Sequence, residues 1–325
     1  MQRLLTDDTE RRALLIRAAG MVGLNKRYIL WFWLLNLTLA VFGTAAFRHQ
    51  AHEILDHSLR ADRLLHGFDL GVLFEMIARP EFGSTEASTM PAAHFALLFF
   101  ALTALFLPGV FQGYASNYRL PREDFLRACG RNLWRFIRLM ILAGIVMGVV
   151  FGVLFMAQGA LVKKAGESTY ELLPFDVSVA CIGIIFLVMT VLRIWFDLAE
   201  ADVVLSDQRA VRKSIGMAFR HTFRSLGRLL AGYVAITVVA ALVLLVGLWA
   251  WMKFIPSDSV LGAFLIGQLT LLLLLIPRFW QRGVAVSYYL RDMVEPIAVQ
   301  SFTPAPEPIA VEPVPPAFPP EPQGF

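Results

Sequence analysis

Six stretches of this chain are long, apolar and almost free of charge, each close to the roughly twenty residues that a helix needs to cross the hydrocarbon core of a bilayer. They run over 28–47, 95–112, 139–162, 177–196, 229–252 and 260–277, and only the fourth holds a charged side chain, Arg193. In hydrocarbon each backbone N–H and C=O must be satisfied within its own segment, so such runs fold as helices and not as open strands. With 57% hydrophobic and 17% charged residues and a mean hydropathy of +0.62, the chain has too little polar surface for a soluble domain of its size. The expected fold is an all-α polytopic membrane bundle of six transmembrane helices over residues 1–292. The segment before Tyr28 contains Asp7, Asp8 and Glu10, too acidic and too long for a signal peptide, so the first run is expected to stay as an anchor.

Lysine and arginine in the connections set the expected orientation. Twenty-one lie in the N-terminal segment, the 113–138 and 199–228 connections and the C-terminal flank, against seven on the other side. Both termini are therefore expected in the cytoplasm of a bacterial inner membrane, and 48–93 forms an extracytoplasmic helical loop. The formal net charge of +4 then reflects topology and contact with an anionic leaflet, not nucleic-acid binding. From 293 onward the chain holds ten of its seventeen prolines and no lysine or arginine, the composition of a disordered acidic tail. A P-x-x-P spacing at Pro316 and Pro319 is what proline-rich composition alone would produce, and it also suits an aromatic groove.

Sliding the chain by ninety residues aligns SNYRLPREDFLRACGRNLWRFIRL with SDQRAVRKSIGMAFRHTFRSLGRL without a gap, with identities that include Ser116/Ser206, Arg122/Arg212, Ala128/Ala218, Arg138/Arg228 and Leu139/Leu229. Each copy lies between two apolar runs, so the pattern reads as a parallel internal duplication. Pro121, Glu123 and Asp124 suit the first turn of a helix. Arg127, Arg131, Arg135 and Arg138 in the first copy, and Arg212, Arg220, Arg224 and Arg228 in the second, recur at helical spacing beside apolar side chains. Two cytoplasmic interfacial amphipathic helices are expected, acting as topology anchors or binding anionic lipid or another anion.

At EDFLRACGRNLWRFIRL and FDLAEADVVLSDQRAVRKSIGMAFRHTFRSLGRL the layout resembles uncharacterised bacterial six-span membrane proteins similar to the membrane domain appended to some glycerophosphodiester phosphodiesterases. The resemblance spans about residues 20 to 292 and has no phosphodiesterase catalytic domain with it. It implies a membrane-embedded, lipid-facing module and carries over no functional residue.

RHQAHEILDH, residues 48–57, falls one residue short of the zinc-protease pattern H-E-x-x-H. His52 and His57 are five apart, about 140° around a helix, so they do not share the face that pattern requires. The segment reads instead as an amphipathic helix, ending near Gly67, with a second short helix over 69–79. A metal set of His49, Glu53 and His57, or of His52 and Asp56, competes with a solvated or pH-responsive face, and Arg60 and Arg63 on the same side oppose a cation. No metal or other cofactor is expected.

Within the membrane, Arg193 and Asp197 stand four apart with Glu200 one turn on, as an ion pair or as a gate. Asn36 and Gln268 read as interhelical hydrogen-bonding amides. Gly144, Gly148 and Gly152 repeat G-x-x-x-G, a seam inside the bundle or between protomers of a homo-oligomer, and Pro108 and Pro277 fall at span ends. Cys129 and Cys181 read as packing residues. No nucleotide loop or nucleophile motif occurs. The leading expectation is a non-catalytic membrane module organising anionic lipid or partner proteins at the cytoplasmic face. The alternatives are a small permease gated near Arg193 and Asp197, and an extracytoplasmic metal-dependent hydrolase.

Overall fold

The structure, a computed structural model, describes residues 2–43 and 85–294 apart from 117, 169, 171, 207–209 and 257–258. Its helices are α1 (Gln2–Leu24), α2 (Arg27–Gly43), α3 (Thr85–Ala115), α4 (Arg122–Gly166), α5 (Leu173–Leu205), α6 (Val211–Arg224), α7 (Leu226–Phe254) and α8 (Val260–Tyr288), the last continuing through a π-helical stretch, Tyr289–Val294. Among the described residues there is no strand. Five helices are long and apolar enough to cross a membrane: α4, α5, α7, His94–Ala115 of α3 and Leu261–Val294 of α8. Helix α2 is apolar too, but it is described over only 17 residues, so the sixth expected span is not matched by a sixth helix of spanning length. The histidine segment, with His49, Glu53 and His57, and the proline-rich tail lie outside the described residues.

Helix α8 is the hub, touching α1, α2, α3, α5 and α7. Burial concentrates at one end of the bundle. Ile194 and Phe196 of α5, Phe111 of α3, Phe136 of α4, Tyr233 of α7 and Tyr288 of α8 are all nearly inaccessible there. Away from that end the helices expose large apolar side chains, among them Val149, Met156, Ile182, Leu245 and Leu265. Water would penalise that surface and lipid does not, which is the solvent these helices were expected to meet.

Several elements depart from expectation. The N-terminal segment is not merely a leader to the first span: α1 buries Leu14, Ala18 and Val22, four residues apart, and the indole of Trp280 on α8 donates to the Leu15 carbonyl at 3.0 Å. Gly283 permits this contact, since a Cβ there would stand 3.2 Å from the Ala18 carbonyl oxygen. Residues 85–93, assigned to the extracytoplasmic loop, are the opening turns of α3. Pro277 and Pro108 lie within α8 and α3 and not at their ends, because both helices continue past the apolar run into residues buried by the bundle.

The first arginine-bearing segment is not a separate interfacial helix. It is the start of α4, whose 45 residues would extend about 67 Å, well beyond a hydrocarbon core of about 30 Å. The second copy does break, at Ser225 between α6 and α7. Where the first copy has Arg135-Phe136-Ile137, the second has Ser225-Leu226-Gly227, and serine and glycine are the weaker helix formers. Burial nevertheless keeps the ninety-residue register: Ala128 and Ala218, Asn132 and Thr222, and Leu139 and Leu229 are all buried.

Among the described residues the glycine stripe on α4 meets no neighbouring helix. A Cβ on Gly144, Gly148 or Gly152 would meet none of their atoms within 4 Å, whereas one on Gly109 of α3 would lie 2.6 Å from the Cys129 sulfur. Close helix approach is thus at Gly109, where α3 meets α4.

Candidate functional site

The buried end of the bundle holds a cluster of polar side chains that hydrophobic packing alone would not place there. Asp197 and Glu200 of α5 are 6% and 8% exposed, and Arg282 of α8 is 8% exposed. An arginine or aspartate at the centre of a membrane helix costs about 3 kcal/mol, so groups like these persist where partners or ligands compensate. Asp197 keeps the expected ion pair with Arg193 only loosely, at 3.8 Å from its Nε and beyond hydrogen-bond reach. Its close partner is Tyr233 of α7, whose hydroxyl lies 2.9 Å from Asp197 Oδ2 and 3.0 Å from the Gln281 carbonyl, two acceptors for one proton. The Gln281 amide donates to Thr237 at 3.1 Å, tying α8 back to α7. Glu200 Oε2 is buried with no hydrogen-bond partner among the described residues.

Three arginines, Arg193, Arg278 and Arg282, lie within coulombic reach of these two carboxylates. Arg282 also rests over the Phe279 ring at 5.6 Å. The cluster is therefore one cation in excess when all five groups are charged.

Beside it opens a cleft of about 410 Å³ between α2, α3 and α8, within the range of small-molecule sites. One wall is a single stripe of α8: Gln268, Leu271, Leu275, Arg278 and Arg282, spaced three and four apart. Asn36 of α2 and Thr103 of α3 stand on the other walls, so the two amides expected to bond between helices, Asn36 and Gln268, line one cavity, and Asn36 Nδ2 donates to the Phe32 carbonyl of its own helix at 2.8 Å. Arg278 is exposed in it and Arg282 closes its base. Arg193 is not on its wall.

The predicted anion-binding arginines sit elsewhere. Arg131, Arg212, Arg220 and Arg224 are exposed. Arg127 pairs with Asp124 at 3.1 Å and Arg138 lies 4.9 Å over the Trp134 ring. Arg135 is half-buried and Arg228 is committed to Asp292 at 3.2 Å, over Tyr288. On α6 the buried face is small and polar, Ser214, Ala218 and Thr222, while Phe219 and Phe223 are 46% and 51% exposed. Phe219 stands against Phe223 at 4.5 Å and against Trp195 at 5.1 Å. His221, on the same helix, has its pKa lowered by partial burial and then by Arg224 and Arg220. Among the described residues no group of three or more histidine, cysteine or acidic side chains is placed to hold a metal.

Arg278 and Arg282 had been counted only as basic residues flanking the last span. The signal that finds them is the three-four spacing that runs through Pro277 without interruption. No protein family, curated protein or solved structure compared with the chain matches it.

Proposed function

We propose that this chain is a non-catalytic integral membrane module of a bacterial inner membrane, with six spans, a parallel duplication and both termini in the cytoplasm, and that its basic end gathers anionic lipid. The observation that carries this reading is the face of α6. Packing uses the small residues of that helix and leaves two phenylalanines exposed beside Arg212, Arg220 and Arg224. Aromatic rings at the acyl boundary with guanidinium groups among phosphates are the chemistry of an interfacial helix. Each arginine near an anionic leaflet contributes about 1 kcal/mol. The shared burial register of α4 and α6–α7 supports the duplication, and the gathering of the arginine-bearing connections at the buried end supports a common side for them.

Native mass spectrometry of the purified protein, with anionic and zwitterionic phospholipids present, tests it. Wild type is expected to retain several anionic lipids, and a variant with Arg131, Arg135, Arg220 and Arg224 changed to glutamine to lose most of them. Equal retention by both would overturn the reading.

A small permease is the second reading, favoured by the burial of Asp197 and Glu200 in a membrane-spanning helix, where ionisable groups commonly line a path. It requires solute or ion flux across reconstituted vesicles that Glu200→Gln abolishes.

A further inference from the structure

The geometry of the α2/α3/α8 cleft points to a second binding site, separate from the α6 face: we propose that it holds the anionic head of one acyl-chain amphiphile between Arg278 and Arg282. It rests on the chain lying in a membrane but not on the role given to α6.

Three residues that line the same cavity carry unpartnered donors. Trp33 Nε1, Thr103 Oγ1 and Arg282 Nε are buried just behind its surface and have no hydrogen-bond partner among the described residues. Thr103 is telling by comparison. Thr38, Thr190, Thr237 and Thr270 each donate to the carbonyl four residues back at 2.7–2.8 Å, the usual solution for a threonine in a membrane helix, and Thr103 is not satisfied in that way. All three groups can donate, and an oxyanion accepts.

Charge agrees. Arg278 makes no salt bridge among the described residues although it is exposed within a membrane-spanning helix, and the cluster behind it is one cation in excess even with both carboxylates ionised. A planar guanidinium suits a phosphate or carboxylate held by two parallel hydrogen bonds. A monoanion would neutralise the cluster, and a divalent or metal cation would raise its charge further.

Shape selects the rest of the ligand. From Arg282 to Gln268 the α8 stripe rises about 21 Å, more than the roughly 15 Å of one acyl leaflet. Leu37 and Ala40 of α2, Phe99 of α3 and Leu271 and Leu274 of α8 give that length an apolar wall. A free inorganic anion would leave this wall empty; a single acyl chain fills it. Asn36 stands on the α2 wall of the cleft, where its amide can meet an ester or hydroxyl of the same molecule.

The test uses the full chain in detergent and native mass spectrometry with three probes: phosphatidylglycerol, phosphatidylcholine and inorganic phosphate. Wild type is expected to retain one phosphatidylglycerol through washing that removes phosphatidylcholine, with inorganic phosphate unable to displace it. Arg278→Gln with Arg282→Gln should lower that retention at least tenfold. Because the double variant disturbs the counter-charges of Glu200, Ala40→Trp, which fills the cleft and leaves every charge in place, should lower it comparably while helicity by circular dichroism is unchanged. Arg220→Gln with Arg224→Gln should leave the tightly held molecule in place, so loss of the α6 reading and loss of this one are told apart. Displacement by inorganic phosphate would overturn the amphiphile in favour of a free anion, and retention in Ala40→Trp would overturn the site.

Discussion

The hydroxyl of Tyr233 sits 2.9 Å from a carboxylate oxygen of Asp197 and binds α7 to α5, whereas Arg193, 3.8 Å from the same carboxylate, lies on α5 itself. Both residues are buried, so the bond is protected from water. A buried acceptor that loses its donor costs about 1–3 kcal/mol. Tyr233→Phe should therefore lower the thermal midpoint of the detergent-solubilised protein clearly, and Arg193→Gln should lower it less. Differential scanning fluorimetry of the two variants checks the order.

Helix contact at Gly109 gives a second prediction. A side chain there meets Phe125 and Cys129, while one at Gly148 meets none of the described residues. Gly109→Leu should destabilise by about 1–3 kcal/mol through overpacking, and Gly148→Leu should leave the thermal midpoint of the monomer within error. A loss of oligomer in Gly148→Leu without loss of stability would place the stripe between protomers.

Acid should weaken the seat of α6. The groups bearing on His221 are Arg224 and Arg220, which with partial burial lower its pKa, and Asp292 and Asp202, which oppose them. Since the folded value lies below the ordinary 6.5, the unfolded chain binds the proton more readily, and stability present above that pH falls as the pH drops through it. Partial exposure keeps the effect small. His221→Gln should flatten the decline in thermal midpoint between about pH 7 and pH 5, measured against wild type.

Topology supplies the fourth. In Cys129→Ser, Cys181→Ser background, single cysteines introduced at Ser116, Ser206 and Val294 should all react from the cytoplasmic side with a membrane-impermeant maleimide, and one at Lys163 from the opposite side. Labelling of Ser116→Cys and Ser206→Cys from opposite faces would contradict the parallel arrangement.

Much of the helical layout was legible because hydrocarbon forces it: uninterrupted apolar runs in α3, α4, α5, α7 and α8 have one way to satisfy their backbones. What the runs conceal is where helices end. A helix packed among neighbours carries polar residues where charges and hydrogen bonds compensate them, so α8 passes through Pro277, Arg278, Gln281 and Arg282 where hydropathy signals an end. The same effect hid α1, whose buried face of Leu14, Ala18 and Val22 is too narrow to stand out in composition. The pairing of Arg193 with Asp197 followed from spacing along one helix, and the stronger partner, Tyr233, came from another helix thirty-six residues on, a distance at which spacing is silent. Glycine spacing was silent for a related reason: G-x-x-x-G on α4 describes what a helix could meet, and among the described residues α4 is met by Gly109 of α3.

The account turns on whether the basic end of this bundle gathers anionic lipid in a bilayer. Electron paramagnetic resonance of spin-labelled phosphatidylglycerol and phosphatidylcholine, each in vesicles containing the protein, measures the share of each lipid held at its surface. Wild type should restrain phosphatidylglycerol in preference, with the preference falling as salt is raised, and Arg212→Gln with Arg220→Gln and Arg224→Gln should bring the two lipids close to parity. Equal restraint of both lipids by wild type, or a preference that the triple variant keeps in full, would contradict it.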